Sequence, residues 1–379
     1  MAWRLGLTSF GGPVAHIGHI RTEYVERREW LDEHEFAELV ALTSLMPGPS
    51  SSQLGIAIGA RRAGHLGGLA AWLGFTVPSA LAMTALALVV GEADVAGAGW
   101  IDGLQLVAVP VVGLAVLAMR RTLAPDVGRF ALAVFAALVV LGGGGFAGQA
   151  VALAAGAIVG VLAFTAPSGA GLGLPRPGRR GVMALACVGT LIALLLGLPA
   201  LRDATGSQAV ALVDAMVRSG SLVFGGGHVV LPLLDQAVVE PGWVGQQEFL
   251  AGYGLVQAMP GPLFTFSAYL GAIQGPEPNG LAGASLALVA IFLPSFLLLA
   301  GLLPGWSLVR TAPIVRGAIV GVGAAVVGLL AAAFWDPVLT ASVDGVGDVA
   351  FVLGLLVLVR LLPIWAVVLL AAALGALLL

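Results

Sequence analysis

The same short phrases occur twice in this chain, about half its length apart, inside runs that are otherwise apolar. Phe10-Gly11-Gly12 returns as Phe224-Gly225-Gly226, Met46-Pro47-Gly48-Pro49 as Met259-Pro260-Gly261-Pro262, and Pro78-Ser79 as Pro294-Ser295. Order and spacing are kept, with offsets of 214, 213 and 216 residues. The chain therefore reads as an ancestral half that was duplicated and fused. Glycine pairs and prolines interrupt helices, so each half must break at matching points. In a membrane protein, matched Gly/Pro-interrupted segments in two halves point to a transport site at the repeat interface.

That the chain is a membrane protein follows from its composition. Hydrophobic residues make up 59% of 379 and charged residues 10%. Apolar runs of spanning length recur at 66–90, 101–119, 146–166, 182–201, 281–303 and 363–379. A bilayer core of roughly 30 Å takes about 20 helical residues to cross. The runs are rich in Leu, Ala, Val and Gly and do not alternate, which favours helices over a barrel. The 55 glycines suit close helix packing in lipid. A net charge of −3 offers no basic surface for nucleic acid. The single cysteine, Cys187, can form no internal disulfide. No secretory signal is expected, because Arg4, Gly11, Gly12 and Pro13 interrupt the first apolar stretch.

The expected fold is an all-α polytopic membrane protein of two homologous, inverted-topology repeats, with 13 apolar elements that include Gly/Pro-broken helices or re-entrant hairpins. Repeat one spans 1–166. A stretch at 167–204 holds a polar linker and one unpaired helix, and repeat two spans 205–379. Parity gives the inversion. Six elements return the chain to its starting side whether the two broken ones cross or turn back, and the extra helix then carries it over. Arginine placement agrees. Arg61/Arg62, Arg120/Arg121/Arg129 and Arg176/Arg179/Arg180 lie on alternate loops, which puts those loops in the cytoplasm. In repeat two, Arg310, Arg316 and Arg360 fall on that same side, and loops 231–248, 275–280 and 336–348 face out.

The breaks carry the candidate chemistry. Unwound backbone at membrane depth is tolerated where it is buried in protein or lines a cavity, and the helix N-termini beside it favour an anion. The candidate substrate-binding residues in repeat one are Arg4, Ser9, Gly11, Gly12, Pro47, Gly48, Pro49 and Ser50. In repeat two they are Arg218, Gly225, Gly226, Gln257, Pro260, Gly261, Pro262 and Thr265. Arg4 and Arg218 match across the repeats, six residues before each Phe-Gly-Gly phrase, as counter-charges or as interfacial arginines that snorkel. The Met-Pro-Gly-Pro phrases end one half-helix and start another, as an anion site or as kinks whose freed carbonyls are back-bonded by Ser and Thr. Pro78-Ser79 and Pro294-Ser295 are read as structural kinks.

Titratable groups inside the apolar runs are His16, His19, Glu38, Asp102, Asp214 and His228. His228, just after the second glycine break, is the proton-coupling candidate, with a packing histidine as the alternative. Asp214 is the second such candidate and stands four residues before Arg218, so an i,i+4 pair is expected, which would neutralise the arginine. No metal-ligand spacing, nucleophile–base arrangement or phosphate loop is present, so neither cofactor nor metal is expected.

At these residues the chain resembles the chromate ion transporter family in its long, two-repeat form. The resemblance rests on Leu7-Thr-Ser-Phe-Gly-Gly-Pro13, Arg27-Arg-Glu-Trp30, Met46-Pro-Gly-Pro49, Val223-Phe-Gly-Gly-Gly-His228, Gln257-Ala-Met-Pro-Gly-Pro-Leu-Phe-Thr-Phe266 and Ile291-Phe-Leu-Pro-Ser-Phe296. It covers nearly the whole chain. It implies a multi-pass protein of the bacterial inner membrane that exports chromate, driven by protons, with oppositely oriented halves and no enzymatic activity. Its partners would be chromate, a proton and the lipid bilayer, and a homodimer is an expected assembly. Chromate and sulfate share charge and tetrahedral shape, so sulfate or another oxyanion stays open as cargo, and an anion channel stays open as mechanism.

Overall fold

The computed structural model describes residues 1–92, 99–143, 145–164, 179–224, 227–303 and 313–378. Gly225, Gly226, Arg176, Arg310 and most of the expected linker lie outside them. The described residues form sixteen α-helices joined by short turns.

Each broken element becomes a pair of short helices. The first pair is α1 (Ala2–Thr8) and α2 (Gly12–Arg21), and the second is α3 (Glu33–Leu45) and the first arm of α4 (Ser50–Glu92). Helix α4 folds back on itself where Ala63 and Gly64 leave helical geometry, so its arms 50–62 and 65–92 are separate elements. The rest of the first repeat is α5 (Gly99–Leu123), α6 (Val127–Leu141) and α7 (Gly145–Ala163). Helix α8 (Arg179–Thr205) stands between the halves.

The second half repeats this order. Helices α9 (Gln208–Leu222) and α10 (Val230–Val238) form its first broken pair, and α11 (Gln246–Gln257) and α12 (Phe266–Ile273) its second. Then come α13 (Gly280–Leu302), α14 (Pro313–Ala333), α15 (Val346–Leu361) and α16 (Ile364–Leu378).

Local chemistry sets these boundaries. Asp32 caps α3 through a reciprocal box. Its carboxylate accepts from the Glu35 N–H at 2.7 Å, and the Glu35 carboxylate accepts from the Asp32 N–H at 3.3 Å. The same helix ends at Met46, whose extended backbone (φ −83°, ψ 146°) is what a following proline imposes. Helix α1 ends at an extended Ser9, and α9 at an extended Val223.

The broken pairs turn back rather than cross. Arg61, at the end of the first arm of α4, bridges Glu35 at the start of α3 at 2.9 Å. Arg28 and Arg62 both sit over the Trp30 ring. The second half mirrors this: the Gly275 N–H after α12 donates to the Trp243 carbonyl before α11 at 2.9 Å. Each such pair therefore starts and ends at one end of the molecule, as a hairpin.

The halves interlock. Helix α5 of the first packs on α16 of the second, while α14 packs on α7. The glycines decide how closely: a Cβ on Gly103 would enter the Ala371 carbonyl, and one on Gly160 would enter that of Gly317. Among the described residues, five stretches are long and apolar enough to span a bilayer, including α5, α8 and α13. Large apolar side chains such as Leu138, Leu162, Leu196 and Leu361 face outward, as lipid-facing surfaces do. Helix α8 is the most peripheral, packing on α9 and α13.

Candidate functional site

The broken segments of the two halves are tied to one another crosswise. The Gly48 N–H donates to the Val223 carbonyl at 2.7 Å, and the Gly261 N–H donates to the Ser9 carbonyl at 2.9 Å. Ser9 and Val223 hold equivalent places, each just before the Phe of a Phe-Gly-Gly phrase. The Pro-Gly-Pro glycine of each half is thus bonded to the first break of the other half.

Side chains repeat the exchange. Gln53 Nε2 donates to Ser295 Oγ at 3.0 Å and to the Pro47 carbonyl at 2.6 Å. A Cβ built on Gly48 would lie 2.5 Å from Ser295 Oγ, and one on Gly261 would lie 2.7 Å from Ser79 Oγ. The repeated Pro-Ser pairs, expected only to kink their helices, therefore press their hydroxyls against the opposite Pro-Gly-Pro break. Both glycines hold positive φ, +118° and +97°, a region that other residues rarely adopt.

His16 stitches the two breaks of the first half. Its ring nitrogens reach the Ser9 carbonyl through Nε2 at 3.1 Å and Ser51 Oγ through Nδ1 at 3.3 Å. A carbonyl only accepts, so Nε2 carries the proton and neutral Nδ1 accepts from Ser51. In the second half His228 Nδ1 meets the Tyr253 hydroxyl at 2.7 Å, between the first break and α11.

The same segments hold buried polar atoms without a partner among the described residues: Ser9 Oγ, Ser52 Oγ, Gln53 Oε1 and Thr76 Oγ1. Leaving such groups unsatisfied costs about 1–3 kcal/mol each, and each invites a ligand or water. Ser52 and Gln53 lie in the first turn of α4, whose N-terminal amides also favour negative charge.

The expected site residues divide as follows. Ser9, Pro47, Gly48, Pro49 and Ser50 of the first half, and Gln257, Pro260, Gly261, Pro262 and Thr265 of the second, belong to these tied breaks. Gly11 and Gly12 form the turn into α2 with φ of 98° and 75°. Gly225 and Gly226 lie outside the described residues. The amides of Gly48 and Gly261 are already engaged, so these glycines join the halves rather than offer bare N–H groups. Thr265 Oγ donates back to the Pro262 carbonyl at 2.9 Å, which is the kink-stabilising alternative. Gln257 lies beside the Tyr253 hydroxyl that meets His228.

Arg4 is exposed on α1 and adds its charge to the field around Glu23. Arg218 is paired. Its Nε donates to Asp214 at 2.6 Å, and Arg202 of α8 holds the other Asp214 oxygen at 3.3 Å. The i,i+4 pair foreseen in the sequence is tight, so the guanidinium meets a carboxylate before it meets any cargo. Sequence reasoning had His16 only among the titratable groups and Ser79 and Ser295 only as kink residues, and it did not single out Thr76. The duplicated Pro-Ser phrase was the available signal for two of them.

Comparison with known proteins now bears on this arrangement. The family model described as "Chromate transporter" matches residues 1–163 and again 210–376, one match for each half. The chromate transport protein of Pseudomonas aeruginosa is 30% identical over 302 residues, which is 77% of this chain and 69% of that protein. The chromate transport protein of Cupriavidus metallidurans is 29% identical over 337 residues, covering 87% of this chain and 79% of its own length. An uncharacterized transporter of Methanocaldococcus jannaschii is 25% identical over 380 residues, spanning 99% of this chain and 92% of itself. No solved structure matches. With both halves matched by one model, interlocked helices of membrane-spanning character and relatives that are transporters, this multi-pass membrane chain belongs to the chromate transporter family.

Proposed function

We propose that this protein is a secondary transporter that moves chromate out of the cytoplasm across the bacterial inner membrane, coupled to protons. The cargo passes where the four hairpin tips join, and no chemical step is involved. The observation that carries this reading is the reciprocal pair of bonds, Gly48 to Val223 and Gly261 to Ser9. Two halves that exchange equivalent contacts at their breaks have the form that alternating access requires, since a rocking of one half against the other moves both breaks together. A tetrahedral dianion needs several donors to replace its hydration, and hydrogen bonds to charged groups contribute about 1.5–3 kcal/mol each. Ser9 and Ser52 supply hydroxyls, and the start of α4 supplies amide dipoles. His16 and His228 are the proton-responsive groups bonded into the breaks. Arg4, exposed on α1, acts nearer the mouth, guiding the anion by charge.

Proteoliposomes of the purified protein test this with labelled chromate and sulfate. Chromate flux that is accelerated by a pH gradient and by unlabelled chromate on the far side is expected. Sulfate flux without chromate flux would reject the cargo. Flux without trans-exchange would make the protein a channel. Replacing both Ser9 and Ser52 with Ala is expected to slow chromate exchange at least tenfold, because each lost donor weakens the dianion's replacement shell by a kcal/mol or more, on the order of tenfold in affinity.

A further inference from the structure

A cavity of about 480 Å³ opens at the mouth of the first hairpin of the second half, lined by Arg202, Asp214, Arg218, Ser219, Gln236 and Trp243 among others. Its floor is a carboxylate gripped by two guanidiniums. Asp214 is 2% exposed, whereas Arg218 is 22% and Arg202 45% exposed, so the arginines reach into the opening and the acid does not. Gln236 Oε1, also on the wall, is buried without a partner. In the first half Glu23 is held by Arg28 at 2.9 Å and Arg27 at 3.6 Å, and the residues offset from it by 213 and 214, Gln236 and Ala237, both line this cavity and neither is a carboxylate. Arg202 comes from α8, the helix with no counterpart in the other half.

The geometry points to a second oxyanion site in this cavity, where a tetrahedral dianion takes the two guanidiniums that Asp214 now holds, as Asp214 gains a proton. This deepens the transport reading and rests on it. Charge decides the coupling. Around Asp214, α8 brings Arg202 and its exposed partner Asp203, α9 brings Arg218, and the turn after α10 brings exposed Glu240. Asp235 of α10 is engaged by Gln246, and α13, packed on α9, has no charged residue. Asp203 and Glu240 face solvent and are screened, so the buried Asp214 is the negative charge an entering dianion must contend with. Carboxylate and oxyanion compete for the same forks, which bind either one bidentately. A proton on Asp214 removes the competitor, so proton and dianion bind together at this mouth. By the linkage of binding free energies, one coupled proton steepens anion affinity by about tenfold per pH unit.

The test is equilibrium binding of labelled chromate to the full-length protein in lipid, across a range of pH. Wild type is expected to bind more tightly as pH falls. Asp214→Asn keeps the shape of the side chain without the charge, and it should bind at high pH as wild type does at low pH, with the slope flattened. Chromate's own protonation is common to both proteins and cancels in the comparison. Arg202→Gln, at a half-exposed helix end, should fold normally and weaken binding about tenfold at every pH. An Asp214→Asn protein with the wild-type slope overturns the proposal, as does Arg202→Gln with wild-type affinity. If Asp214→Asn does not insert, the Arg202→Gln result decides alone. Wild-type liposomes that move no chromate reject the transport reading and this site with it. Normal wild-type transport with both variants unchanged rejects this site alone.

Discussion

Gly48 shows how much one residue can hold. Its positive φ excludes a side chain on backbone grounds, its amide bonds the other half, and its bare Cα admits Gln53 and Ser295. Gly261 does the same in the mirrored place, against Ser79. We expect Gly48→Ala and Gly261→Ala each to cost about 1–3 kcal/mol through backbone strain alone, with further loss from the clash, and to abolish chromate exchange. Thermal unfolding in detergent and proteoliposome flux measure the two effects. Gly48→Leu and Gly261→Leu should be worse on both counts. Gly143→Ala is the control. It shares the positive φ (88°) but has open space around it in the turn after α6, so it should lose similar stability from strain while transport persists. Retained exchange in Gly48→Ala would show that the close approach of Gln53 and Ser295 to this Cα is dispensable.

Among the elements, the short polar stretch between α2 and α3 behaves as a clamp. Arg21 pairs with both Glu26 and Glu33, and Arg28 and Arg27 close on Glu23. The Arg28 hydrogen bond holds the Glu23 carboxyl below the usual carboxylate range, against the opposing pull of burial, with the charges of Arg28, Arg4 and Arg27 helping. A carboxyl whose folded pKa is depressed contributes stability above its unfolded pKa, and that contribution is lost as pH falls through the folded value. The clamp should therefore open only on acidification below the ordinary carboxylate range. Hydrogen exchange of residues 20–35 at stepped pH would report it, and unchanged protection through that range would refute it. Asp32→Ala, which removes the cap of α3, should cost about 1 kcal/mol of stability, readable as a lower melting temperature.

For the whole molecule, interlocking has a direct consequence. Because α5 lies on α16 and α14 on α7, neither half can bury its own helices. Separately expressed residues 1–166 and 205–379 should be unstable alone and should co-purify when made together. A stable, monomeric half would contradict the interlocked packing. Much of this architecture was legible beforehand, since helical class, doubling and the position of each break follow from apolar runs and from Gly and Pro, whose effects on backbone are local. Phe10-Gly11-Gly12 and Pro47-Gly48-Pro49 could be placed as breaks without any knowledge of their neighbours. What they touch could not, because the partners of Gly48 lie 175 residues away at Val223 and 247 away at Ser295, and no local rule links such distant positions. Ser79 and Ser295 looked like kinks for that reason, and the Asp214–Arg218 pair could be read from its spacing whereas Arg202 of α8, the second holder of Asp214, could not. Side-chain chemistry and backbone preference are properties of the chain itself and determined its breaks. Only packing, which brings remote segments within hydrogen-bonding reach, decided that the breaks turn back as hairpins and exchange contacts between the halves.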